Sequence, residues 1–173
     1  MTTINTTTET TIAPLFMNSI DLLNHWQGHR RLTRRVIEAF PDEELFKYTI
    51  GGMRPFSGMV SEINSISGPG VKGIATDVWT TINEMDHHSG KSEASSKEEL
   101  LRQWDSVTDE INTFWAQIPE AKFQEIVLAF GQYEGEAYGI ILYFIDNEIH
   151  HRAQGTVYLR SLGIEPPAFW NRD

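Results

Sequence analysis

Prolines and glycines fall at the ends of long stretches whose apolar residues recur every three or four positions. A chain built this way is driven to pack helix against helix. In residues 15–40, Leu22, Trp26, His29, Thr33, Val36 and Phe40 form one stripe, and Pro41 ends it. PDEELFKYTIGGMRPF then reads as a short helical turn and a Gly-rich connection. A second helix is expected from near Pro55, with Met59, Glu62, Ile63 and Ile66 on one side. SGPG, residues 67–70, predicts a kink or break before the pattern resumes through Val71, Ile74 and Val78. Residues 83–96 read as a polar surface loop. Ser96 followed by Glu99 has the form of a capping box and opens a third helix, with Leu100, Trp104, Val107, Ile111, Phe114 and Ile118 as its stripe and Pro119 as its stop. A shorter amphipathic segment spans Phe123 to Phe130, and the last helix is expected from about Glu134 to Leu162, closed by Gly163 and Pro166-Pro167. No strand alternation stands out. The expected fold is all-α, a four-helix bundle in one domain over 15–173, after a loosely ordered Thr-rich tail over 1–14.

Cysteine is absent from the 173 residues, which excludes disulfides, thiolate metal sites and a cysteine nucleophile. Any thiol chemistry would use a thiol brought by the substrate. A formal net charge of -10 argues against nucleic acid as a partner. The one dense basic stretch, HRRLTRR, carries Arg30, Arg31, Arg34 and Arg35 and reads as a solvated or interface face, with a local anion site as the alternative. No apolar run approaches the ~18 residues a membrane span needs, and the start lacks the pattern of a secretory signal, so the expected location is cytoplasmic and away from membranes.

Polar residues on buried stripes carry the functional signal, because an unpaired buried polar group costs ~1–3 kcal/mol. On the last helix Phe144, Asn147, His151 and Tyr158 share a face, and His150 stands about 100° away. Glu62 lies on the apolar side of the second helix, and His29 on that of the first, one turn after His25. Three helices thus each direct a metal-competent or proton-competent side chain inward. Imidazole and carboxylate suit zinc, nickel, iron or manganese. The alternative is a satisfied buried network, with Glu62 bonded to His151 or His29. His87-His88 reads as exposed, and Asp146 and Arg152 as surface or interface charges. There is no Gly-rich phosphate loop, nucleophile elbow or HExxH motif.

NEIHHRAQGTVYLRSLGIEPPAF resembles the C-terminal helix of the DinB-like (YfiT-like) superfamily of damage-inducible bundles. RPFSGMVSEI is similar to its second-helix motif and NHWQGHRRLTRRVIEAFPDEEL to its first helix, so the resemblance covers about residues 15–170. It implies a four-helix bundle, often a homodimer, that holds a divalent metal through three histidines, one from helix two and an i, i+4 pair from the last helix. Some such proteins are thiol-dependent S-transferases or maleylpyruvate isomerases. Here Glu62 and Asn147 stand where two of those histidines are expected, and His151 is retained. The resemblance therefore implies a zinc, nickel or manganese site of Glu62, Asn147 and His151, with His29 or His150 as further ligands and His25 and Tyr158 nearby. It implies transferase or hydrolase chemistry on a small molecule, with a thiol as one candidate substrate, in a stress response. Two other readings stand beside it. One is a non-catalytic dimeric bundle that binds a small ligand or partner protein. The other is metal-free acid–base catalysis by a Glu62–His151 pair.

Overall fold

The computed structural model describes residues 17–85 and 94–173; His87 and His88 and the Thr-rich start lie outside them. Helices α1 (Ser19–Ala39), α2 (Asp42–Lys47), α3 (Phe56–Thr76), α4 (Lys97–Trp115) and α5 (Ala137–Ser161) follow in order. Short 3₁₀ turns lie at Ile82–Glu84 and Glu120–Gln124, and strands β1 (Ile126–Ala129) and β2 (Tyr133–Glu136) precede α5. The four long helices form the bundle expected from the stripes. Helix α3 packs on α4 and α5, and α1 on the same two. Trp26, Ile74, Ile111, Ile141 and Phe144 fill one end of the core. Val36, Phe40, Phe56, Ile63 and Trp104 fill the other, with the rings of Phe40 and Phe56 stacked at 4.9 Å. Among the described residues no helix is long and apolar enough to cross a membrane.

Two of the long helices open on a side-chain cap. Asn18 accepts the Asp21 amide at 2.8 Å and opens α1. Ser96 accepts the Glu99 amide at 3.2 Å and opens α4. The reciprocal half of that cap is displaced by one residue, since the Glu99 carboxylate takes the amide and hydroxyl of Ser95, each at 2.8 Å.

Two expectations are corrected. SGPG does not break the second helix: α3 runs unbroken through Pro69. Its glycines serve close approach. The Phe144 ring lies on Gly70 and the Trp79 ring on Gly73, where a Cβ would overlap either ring. Packing of α3 against buried aromatics outweighs the one backbone bond that proline removes. Gly70→Ala is expected to destabilise the fold by about 1–3 kcal/mol, because Phe144 is held and must shift. Urea unfolding would show this as a lower midpoint; an unchanged midpoint would mean the ring moves freely.

The second correction concerns residues 123–136. Phe123 to Phe130 is no amphipathic helix: it forms the 3₁₀ turn and β1, and α5 starts at Ala137, not Glu134, because Glu134 pairs with Leu128 across an antiparallel hairpin. Phe130 and Gly131 take φ of 55° and 71° in its tight loop. Burial alternates along β1, with Val127 and Ala129 inward, yet all four of its residues are apolar. A continuous apolar run of that length carries no period by which strand and helix are told apart.

Candidate functional site

Glu62 projects from the middle of α3 toward α5, where Asn147 and His151 sit one turn apart on the facing side. Its Oε1 accepts from Asn147 Nδ2 at 2.9 Å and lies 3.1 Å from His151 Nε2. Its Oε2 is held by the Arg54 guanidinium from the segment entering α3. The His151 contact holds the Glu62 carboxyl well below the usual carboxylate range, and Arg54 and Asn147 add to this against the opposite push of burial. Glu62 is therefore ionised throughout the neutral range.

Gln154 Oε1 lies 2.8 Å from His151 Nδ1, so each ring nitrogen meets an oxygen, Gln154 at Nδ1 and Glu62 at Nε2. A neutral ring carries one hydrogen and donates to one of the two; a protonated ring donates to both. With the hydrogen on Nδ1, Nε2 is free to take a metal ion beside the carboxylate. Asn147 Oδ1, beside them, is buried without a partner among the described residues.

A cavity of about 570 Å³ opens next to this cluster. Arg54 and Glu62 form its polar end. Ile66 from α3, Ile82 and Met85 from the first 3₁₀ turn, Phe130 and Tyr133 from the hairpin, and Tyr143 and Phe144 from α5 line the rest. Its size is that of an ordinary small-molecule site. Of the three sequence-predicted ligands, Glu62 alone lines the cavity; Asn147 and His151 stand behind it.

The family model of DinB proteins matches residues 6–172. The chain belongs to the DinB family. Its fold is similar to that of a DinB-like protein from Bacillus subtilis, with a TM-score of 0.68 and 15% identity over 88% of this chain and 99% of that one. A DinB-like protein from Bacillus cereus gives 0.69 and 15% over 87% and 97%. At that identity the likeness shows the shared fold alone. None of the curated proteins matches the chain.

The donors in this DinB bundle suit a divalent cation in kind: a carboxylate oxygen, an imidazole nitrogen, and an amide that can offer its oxygen. Among the described residues no group of three His, Cys, Asp or Glu side chains is gathered that could hold a metal, and the third side chain on the Glu62–His151 pair is Asn147. Arg54 works the other way, since it already neutralises Glu62.

The other candidate residues go elsewhere. His29 is buried but faces a second cluster, where Arg152 Nη2 lies 2.9 Å from its Nδ1 and His25 Nε2 3.2 Å from its Nε2. It does not reach Glu62. His150 and His25 are exposed. Tyr158 is buried, and its hydroxyl donates to the Arg54 carbonyl at 3.1 Å, fixing the segment that carries the guanidinium. Arg152 is no surface charge. It is buried with Glu148, a fully enclosed carboxylate that also accepts Trp26 Nε1 at 3.0 Å and Thr33 Oγ1 at 2.6 Å. Nor is HRRLTRR a solvated face throughout, because Arg30 is buried and stacked 3.4 Å over Trp104. Arg31 and Arg35 hold the carbonyls of Asn171, Arg172 and Asp173.

Burial pushes His29 down to about 3, and Arg152, Arg172 and His25 add to the shift. Its folded pKa lies below its unfolded value of 6.5, so the stability it carries is complete above pH 6.5. As pH falls, the unfolded chain takes up a proton that the folded chain refuses, at a cost of about 1.4 kcal/mol per pH unit. Urea unfolding at pH 7 and pH 5 is expected to differ by about 2 kcal/mol, and His29→Asn to remove most of that difference. An equal slope in the variant would assign it to other groups.

Sequence reasoning missed Arg54, Gln154 and Glu148 as parts of these networks. Gln154 had a usable signal, since it follows His151 by three positions on one helix face.

Proposed function

We propose that this DinB-family chain binds a divalent cation, zinc, nickel or manganese, through Glu62, Asn147 and His151. The substrate would be a small molecule in the adjoining cavity, in a reaction of the transferase or hydrolase type. The observation that carries the reading is the convergence of Asn147 and His151 on Glu62 Oε1, at 2.9 and 3.1 Å, with His151 Nδ1 facing the Gln154 oxygen. That is the arrangement by which an outer hydrogen bond orients a metal-binding imidazole. A cation held there supplies Lewis acidity and lowers the pKa of a water or thiol presented to it. Glu62 contributes the negative charge, Gln154 orients the ring, and the apolar cavity walls would hold the body of the substrate. A substrate thiol is one candidate nucleophile, because the chain has no cysteine of its own. A homodimer belongs to the same proposal, on the family resemblance alone.

Elemental analysis of untagged protein tests it. About one metal ion per chain, lost in His151→Ala, is the expected result. No metal in either protein after incubation with zinc, nickel and manganese would reject it.

A second reading is favoured by the Arg54–Glu62 ion pair. In it a proton, not a metal, lies between Glu62 and His151, and the bundle binds a small ligand without reacting. The same measurement separates the two.

A further inference from the structure

The polar end of the cavity is unequal in what it has left to offer. Glu62 Oε1 already meets Asn147 and His151, and Oε2 meets Arg54. Its acceptor capacity is nearly used. Arg54 has five N–H donors, of which one engages Glu62, and among the described residues its Nε and Nη1 carry no hydrogen bond. Both residues line the cavity, and the Tyr158 hydroxyl on the Arg54 carbonyl holds that donor's backbone in place. A ligand arriving at this end finds free donors and few free acceptors. The other walls are hydrocarbon and aromatic, with Phe130 and Phe144 at 6.1 Å and Tyr143 and Phe144 at 6.5 Å between ring centres.

We propose that the cavity takes an aryl- or alkyl-carboxylate, its apolar body against Phe130, Tyr143 and Phe144 and its head on the free edge of the Arg54 guanidinium. This rests on the reading of the cavity as the ligand site, and it names the ligand class whether or not a metal is bound beside it. The net charge of -10 repels anions at a distance, but that field is screened over about 8 Å at physiological salt, and guanidinium contact at the cavity end is shorter. A planar guanidinium engages a carboxylate with two parallel bonds, which an alcohol cannot match and an ammonium head opposes.

Isothermal titration with 4-phenylbutyrate, 4-phenylbutan-1-ol and 4-phenylbutylamine tests the head group on one skeleton. It is run on full-length protein, both chelator-treated and loaded with zinc. The acid is expected to bind about tenfold or more tighter than the alcohol, and the amine most weakly. Arg54→Met is expected to reduce the acid to the level of the alcohol or below. Ile140→Trp, which fills the cavity from its edge, is expected to weaken all three ligands. Three results would overturn the proposal. They are an amine that binds tightest, an alcohol equal to the acid, and a preference for the acid that survives Arg54→Met. An acid preference that vanishes on chelation would assign the head group to the metal, overturning the role of Arg54 while supporting the cation site. A preference that persists in metal-free protein keeps this proposal even where the metal reading fails.

Discussion

Glu148→Ala is expected to cost about 3–5 kcal/mol of folding stability, near the upper end for a single substitution. The carboxylate is fully buried between α5 and α1. Its loss leaves Trp26 Nε1 without its acceptor and Thr33 Oγ1 without the closer of its two. It also leaves the buried Arg152 guanidinium, 3.8 Å away, without its counter-charge. Arg152 would keep Thr33 and His29, both neutral partners. Breaking one side of a buried pair is far more costly than replacing both sides by apolar groups of similar volume. The double variant Glu148→Met with Arg152→Met should therefore be the milder of the two. Urea unfolding of the pair of variants decides it. A loss below about 1 kcal/mol for Glu148→Ala would mean that water replaces the carboxylate.

Glu62→Ala is expected to act mainly on binding, with a smaller loss of stability than Glu148→Ala. Glu62 is partly open to the cavity, and its removal leaves groups that water can reach. Metal affinity should fall by at least the roughly 100-fold that loss of an outer partner costs, because here a direct donor and its charge are removed. Asn147→His should move affinity the other way, since it adds an imidazole four residues before His151. Competition with a chelating dye measures both. An unchanged affinity in Glu62→Ala, or no gain in Asn147→His, would place the cation elsewhere. Urea unfolding of the same variants controls for loss of fold.

That Glu62, Asn147 and His151 face inward was legible in the sequence, because each breaks an apolar stripe; that the three belong together was implied by the family resemblance. The bundle itself was legible because helical periodicity states which residues share a face. Arg54 was not, because it precedes α3 in a segment without period, and nothing in RPF says that its side chain turns back along the helix to position 62. Arg152 was misread and Glu148 missed because α5 was assigned one buried face. It has two, since it packs against both α3 and α1. Phe144, His151 and Tyr158 follow one line, and Ile141, Ile145, Glu148, Arg152, Gly155 and Leu159 the other. His29 was rightly placed inside and wrongly paired, since a stripe fixes the face of its own helix but not which residue across the core it meets.

These two lines give α5 a rotational key. Leu142, Tyr143 and Val157 leave apolar surface on its outer side as well, so hydrophobicity alone discriminates poorly between rotations of this helix about its axis. Its i, i+4 pairs do discriminate, Asn147 with His151 toward α3 and Glu148 with Arg152 toward α1. A slip by one residue would bring Glu148 against Glu62, carboxylate to carboxylate, and strand Trp26 and Thr33. The misregistered alternative carries like-charge repulsion and unpaired donors together. The side chains that form the candidate site and those that form the hidden network thus act as one lock on the angle at which the last helix docks.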